Sequence, residues 1–206
     1  MKKFTIIILM LAFVLGGCAL NSKTNIITGV DGKTKAELEE KNGTKFEWFT
    51  SMASYKVDKS FTGSRFWIET YKDGKMIDSI ELFGGNTPIA KGEGNGFIIM
   101  QLTEDEETIK FFNTTPTNEN NDSVGVVELF DGADIKYYGM TSLHSNNKPL
   151  EVKSGEEYIV SAAQFETPSD EATRETYLPF LETIMEYPLE LEKVPYILLL
   201  KCEFIK

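Results

Sequence analysis

The 206-residue chain has one histidine, His144, and two cysteines, Cys18 and Cys202. Any histidine-dependent triad or metal site has to use that single imidazole, which stands in "TSLHSNNKP", a strand end and loop by its pattern. No cysteine pair or second histidine stands at zinc-ligand spacing, so no metal is expected. There is no G-x-S-x-G elbow, no HExxH and no Walker lysine. Base is scarce too: 21 Lys and Arg stand against 32 Asp and Glu, a formal charge of −11. A chain of that sign has no electrostatic route to nucleic acid or to an anionic membrane face as a whole, and would favour a cationic partner.

Long apolar runs are also missing. The longest, Phe4 to Leu15, is broken by Thr5 and is too short for the roughly 20 residues that cross a bilayer as a helix. Lys2 and Lys3 precede it and Gly16 and Gly17 follow it, which is the order of a secretory signal peptide.

Leu15-Gly16-Gly17-Cys18 then resembles the lipobox of bacterial lipoproteins: a branched apolar residue, two small residues and a cysteine. The resemblance covers about the first twenty residues. It implies that residues 1–17 are removed, that Cys18 carries a diacylglyceryl group, and that the mature protein is extracytoplasmic and lipid-anchored to the cell membrane. Two acyl chains bury enough CH₂ groups to anchor stably where one binds only marginally. With lipid on Cys18, Cys202 has no partner for an intrachain disulfide. Tyr196, Leu198, Leu200, Cys202 and Phe204 alternate with the other face of a strand, which makes the thiol a small buried hydrophobe.

From residue 18 to 44 the chain is polar, with at most one short helix around Lys33 to Lys41, and reads as a tether. Residues 45–206 read as one β-rich domain, because period-two alternation takes over. The clearest local signal is "SRFWIETYKDGKMIDSIELFG", two β-prone runs around the tight-turn pair Asp73-Gly74. Phe66, Ile68 and Thr70 should share one face, and Trp67, Glu69 and Tyr71 the other. Eight candidate strands precede residue 166, separated by short turn signals and without helical crossovers. The expected fold is an all-β, antiparallel immunoglobulin-like sandwich of about nine strands with one late helix; a lipocalin-like barrel is the alternative.

The late helix is "TYLPFLETIMEYP", with Tyr177, Phe180, Leu181, Ile184 and Met185 at helical spacing and Pro188 as its stop. Around it, Glu166, Asp170, Glu171, Glu175, Glu182, Glu186, Glu190 and Glu192 face Arg174 alone. Tyr177 and Phe180 beside Glu182 and Glu186 are therefore the candidate contacts for a basic, amphipathic peptide or protein.

Three further patterns carry little chemistry. Gly92, Gly94 and Gly96 precede a strand rather than a helix and read as a turn, not a phosphate cradle. Asn118, Asn120 and Asp122 begin like a calcium loop, but Ser123 replaces its glycine and Leu129 its closing glutamate. Glu104, Asp105, Glu106 and Glu107 form an acidic turn. With no cofactor implied, the reading is a tethered, non-enzymatic binding or scaffold module. The alternatives are capture of a small ligand or cationic peptide, as immunity-type lipoproteins do, and an envelope hydrolase working through carboxylates.

Overall fold

The computed structural model describes residues 25–42, 45–46, 50–83, 87–89, 94–103, 108–114, 123–128, 136–142, 148–166 and 196–206. Among these residues the strands are β1 (Ile26–Gly29), β2 (Thr50–Val57), β3 (Gly63–Lys72), β4 (Lys75–Glu81), β5 (Thr87–Pro88), β6 (Gly94–Leu102), β7 (Thr108–Thr114), β8 (Ser123–Glu128), β9 (Lys136–Ser142), β10 (Leu150–Glu151), β11 (Glu157–Glu166) and β12 (Tyr196–Ile205). One helix, α1 (Gly32–Asn42), lies between β1 and β2.

The strands form two six-stranded antiparallel sheets. One runs β10-β1-β2-β6-β7-β8; the other runs β4-β3-β12-β11-β9, with β5 added to the start of β3. The two sheets are separate, so the fold is an all-β sandwich and the closed-barrel alternative is overturned.

Period two explains most of the packing. Tyr55 from the first sheet meets Phe204 from the second at 5.1 Å between ring centroids, and Phe66 and Phe61 meet the same ring at 6.4 and 6.5 Å. Cys202 lies fully buried in this core as a free thiol, and burial pushes its pKa up, as suits a small hydrophobe rather than a nucleophile. β12 departs from alternation. Ile197 and Leu199 are as buried as Leu198 and Leu200, which is why "YILLL" reads as an unbroken apolar run in a central strand.

The β3–β4 hairpin forms as the sequence requires, with Asp73 and Gly74 at φ 47° and 73°. Gly94 and Gly96, read from sequence as a turn, instead lie inside β6, opposite Val57 and Tyr55. A Cβ on Gly94 would meet the Val57 carbonyl oxygen at 2.3 Å; one on Gly96 would meet the Tyr55 hydroxyl at 2.4 Å. Gly96 lets the Tyr55 side chain lie across the strand, where its hydroxyl is 3.2 Å from Asn113 Oδ1 and donates to it.

The tether boundary also moves. Ile26–Gly29 pairs with both β2 and β10, and Ile27 is fully buried, so part of the stretch expected as tether is a sheet strand. The helix inside that stretch is present. Asp31 caps it through Thr34 N–H, at 2.7 Å from Oδ1, and this bond holds the Asp31 carboxyl below its ordinary range. Leu38 and Val30 then pack against Phe46, Met52 and Ile99 on the outer face of the first sheet, a second small core. Phe46 N–H donates to Glu39 Oε1 at 2.8 Å and brings the chain back toward β2.

Candidate functional site

The residues singled out from sequence, Leu15, Gly16, Gly17, Cys18, Tyr177, Phe180, Glu182 and Glu186, lie outside the described residues, as do the late helix, His144, the Asn118 loop and the acidic turn at 104–107. The described residues nonetheless fix where the segments carrying them join the sandwich.

One end of the molecule is the chain's point of entry. Asn25 there accepts from Asp58 N–H through Oδ1 at 2.7 Å, donates to Asp58 Oδ2 through Nδ2 at 3.0 Å, and accepts from Val152 N–H through its carbonyl at 2.9 Å. Hydrogen bonds from Ser60 and then Asn25 hold the Asp58 carboxyl down at about 2. Gly63 pairs with Ile205 and Lys206 N–H donates to Ser154 Oγ at 3.0 Å, so the start of β3 and the end of β12 share this end.

β3 then runs ten residues, roughly 33 Å, to the opposite end. Lys72 pairs there with Tyr196, and Tyr196 with Phe165. Segment 167–195, with its seven acidic residues, therefore leaves β11 and re-enters β12 beside the tip of the β3–β4 hairpin. Lys72 Nζ lies 5.1 Å from the centre of the Tyr196 ring, joining the hairpin to that re-entry point.

The hairpin carries the exposed apolar surface of the described residues. β4 is exposed along its whole length and edges its sheet. Met76, Ile77 and Ile80 are 57, 54 and 36 % exposed. The backbone of this edge is interrupted at two places. Leu82 N–H donates to the Phe66 carbonyl at 2.8 Å, so by alternation the Ser79 N–H faces away from β3, and the Asp78 carboxylate takes it at 2.8 Å. The register slips between Thr70 and Tyr71, leaving Ile77 unopposed. A capped amide and a bulge are devices that stop an edge from pairing with another strand. What β4 offers is therefore its side chains rather than its backbone.

A polar cluster occupies the outer face of the same sheet. Glu69 accepts from Trp67 Nε1 at 3.0 Å and from Tyr71 OH at 2.7 Å, and pairs with Lys201 Nζ at 2.8 Å. Burial pushes the Glu69 carboxyl up, but the bonds from Lys201, Tyr71 and Trp67 together outweigh it and leave it below the ordinary carboxylate range. Burial, then the bond to Glu69, pushes the Tyr71 hydroxyl up. Arg65 bridges Glu81 and Glu203, and the Arg65 and Lys201 cations stand 5.8 and 5.9 Å from the Trp67 ring. The cluster is a clamp across β3 and β12.

Sequence reasoning found the hairpin but not its exposure. Alternation in "MIDSIE" looks the same on a covered and an uncovered strand; the signal that could have found it is Asp78 between two isoleucines. No family model, curated protein or solved structure matches the chain.

Proposed function

We propose that the protein is an extracytoplasmic lipoprotein, anchored through Cys18, that works as a non-enzymatic binding module with its docking surface at the end of the sandwich remote from the anchor. The observation that carries this reading is the exposed β4 strand, whose Met76, Ile77 and Ile80 show apolar side chains to solvent. Apolar side chains grouped on one exposed element mark contact sites. The acidic segment whose two ends lie beside the hairpin tip supplies the sign of the partner: a cationic, amphipathic protein or peptide, with Tyr177, Phe180, Glu182 and Glu186 as its further contacts.

The experiment is capture from envelope extract by the full-length lipoprotein at low and high salt. A partner held at low salt, released at high salt, and lost on Ile77→Asp supports the reading. A partner indifferent to Ile77→Asp and to Glu182→Gln with Glu186→Gln refutes it. Separately, Cys18→Ala should abolish metabolic fatty-acid labelling, and labelling that persists would remove the anchor.

A further inference from the structure

The structure shortens the tether, and that decides which surface meets the membrane. This inference rests on the lipoprotein reading above. Between Cys18 and Asn25, which is hydrogen-bonded to Asp58 of the sandwich, lie seven chain steps rather than the 27 residues of the stretch 18–44. Fully extended, seven steps reach at most about 24 Å. The domain cannot stand clear of the bilayer on such a leash. Whichever end of the sandwich carries Asn25 is held against the headgroups.

That end is unlike the rest of this acidic chain. Lys56 at the end of β2, Lys59 in the turn to β3, and Lys206 after β12 are all exposed there. Lys206 Nζ lies 5.1 Å from the centre of the Phe61 ring. The acids at this end are Asp58, which the hydrogen bonds from Ser60 and Asn25 keep ionised, the exposed Glu151, and Glu156, which pairs with Lys153 at 3.0 Å. We infer that the entry end of the sandwich is a membrane-apposed surface on which Lys56, Lys59 and Lys206 meet anionic lipid headgroups, orienting the β3–β4 hairpin outward. A lysine near an anionic surface shifts the balance toward apposition by roughly fivefold, so the excess of the three lysines over Asp58 and Glu151 biases orientation once the lipid supplies the anchoring. Without the lipid they would not hold the protein.

The test uses the full-length lipoprotein reconstituted into vesicles of phosphatidylcholine with or without phosphatidylglycerol. A fluorophore is placed on Asn95→Cys, next to Lys56 across the strand pair, or on Lys75→Cys at the hairpin. A headgroup-attached quencher reports proximity. The inference predicts strong quenching at position 95 and little at position 75 in anionic vesicles. It also predicts that Lys56→Glu, Lys59→Glu and Lys206→Glu together, or high salt, reduce the quenching at 95 by more than about threefold. The same triple substitution should change nothing in neutral vesicles. Equal quenching at both positions, or no response to the triple substitution, overturns the inference while leaving the anchor standing. Failure of the protein to float with vesicles at all overturns the lipoprotein reading and this inference with it.

Discussion

Gly96 and Glu69 show how single residues hold the two faces of the sandwich. Gly96→Ala puts a methyl where the Tyr55 hydroxyl now lies, 2.4 Å from the new carbon, so Tyr55 must leave Asn113 or the strands must part. The expected loss is about 2 kcal/mol, read as a lower urea midpoint at unchanged slope. Glu69→Gln removes the charge that Lys201, Tyr71 and Trp67 bind, at a cost of about 2 kcal/mol near neutral pH. The folded-state pKa of Glu69 lies below its unfolded value, so its contribution is present above the unfolded carboxylate pKa, roughly 4.3, and is lost as pH falls through the folded value. The stability gap between wild type and Glu69→Gln should therefore close in acid; a gap that widens as pH falls would contradict the clamp.

Among the elements, the ones carried by strong local chemistry were legible and the ones carried by context were not. The β3–β4 hairpin follows from Asp73-Gly74 between β-prone runs, and α1 from Asp31 ahead of good helix formers. β1 was not legible. "IITG" has four residues, one apolar pair and no turn signal of its own, and it becomes a strand because β2 and β10 offer open backbone on both sides. The glycines of β6 misled for a related reason: nothing local says that Tyr55 will need the space. The candidate site divides in the same way, with the hairpin visible as a pattern and its exposure set by what the rest of the chain leaves uncovered.

The elements also make the domain boundary testable. A chain beginning at residue 45 lacks β1 and α1, and so uncovers the edge of β2 and the patch formed by Met52 and Ile99. It should fail to fold cooperatively or aggregate, whereas one beginning at residue 22 should unfold like the full mature chain. Ile27→Ala, which keeps the backbone pairing, should cost about 3 kcal/mol by chemical denaturation. Equal stability of the chains starting at 22 and 45 would return β1 to the tether.

For the whole molecule, the consequence is polarity along the strands. Chain entry, Lys56, Lys59 and Lys206 lie at one end; the hairpin tip and both ends of the acidic segment lie at the other. With the proposed anchor at the entry end, the end that the membrane cannot block is the one that carries the hairpin tip. A cationic partner should associate faster at low ionic strength, because the −11 chain attracts it before contact, while the apolar residues of β4 should chiefly set how slowly it leaves.

The most direct measurement places a photo-crosslinking residue at Ile77, at Ile80 or at Lys59 of the full-length protein and irradiates intact cells. The account predicts one shared adduct from Ile77 and Ile80 that is missing from Lys59, and whose protein component is basic. Adducts from Lys59 alone, or the same adducts from all three positions, would contradict a docking surface on β4.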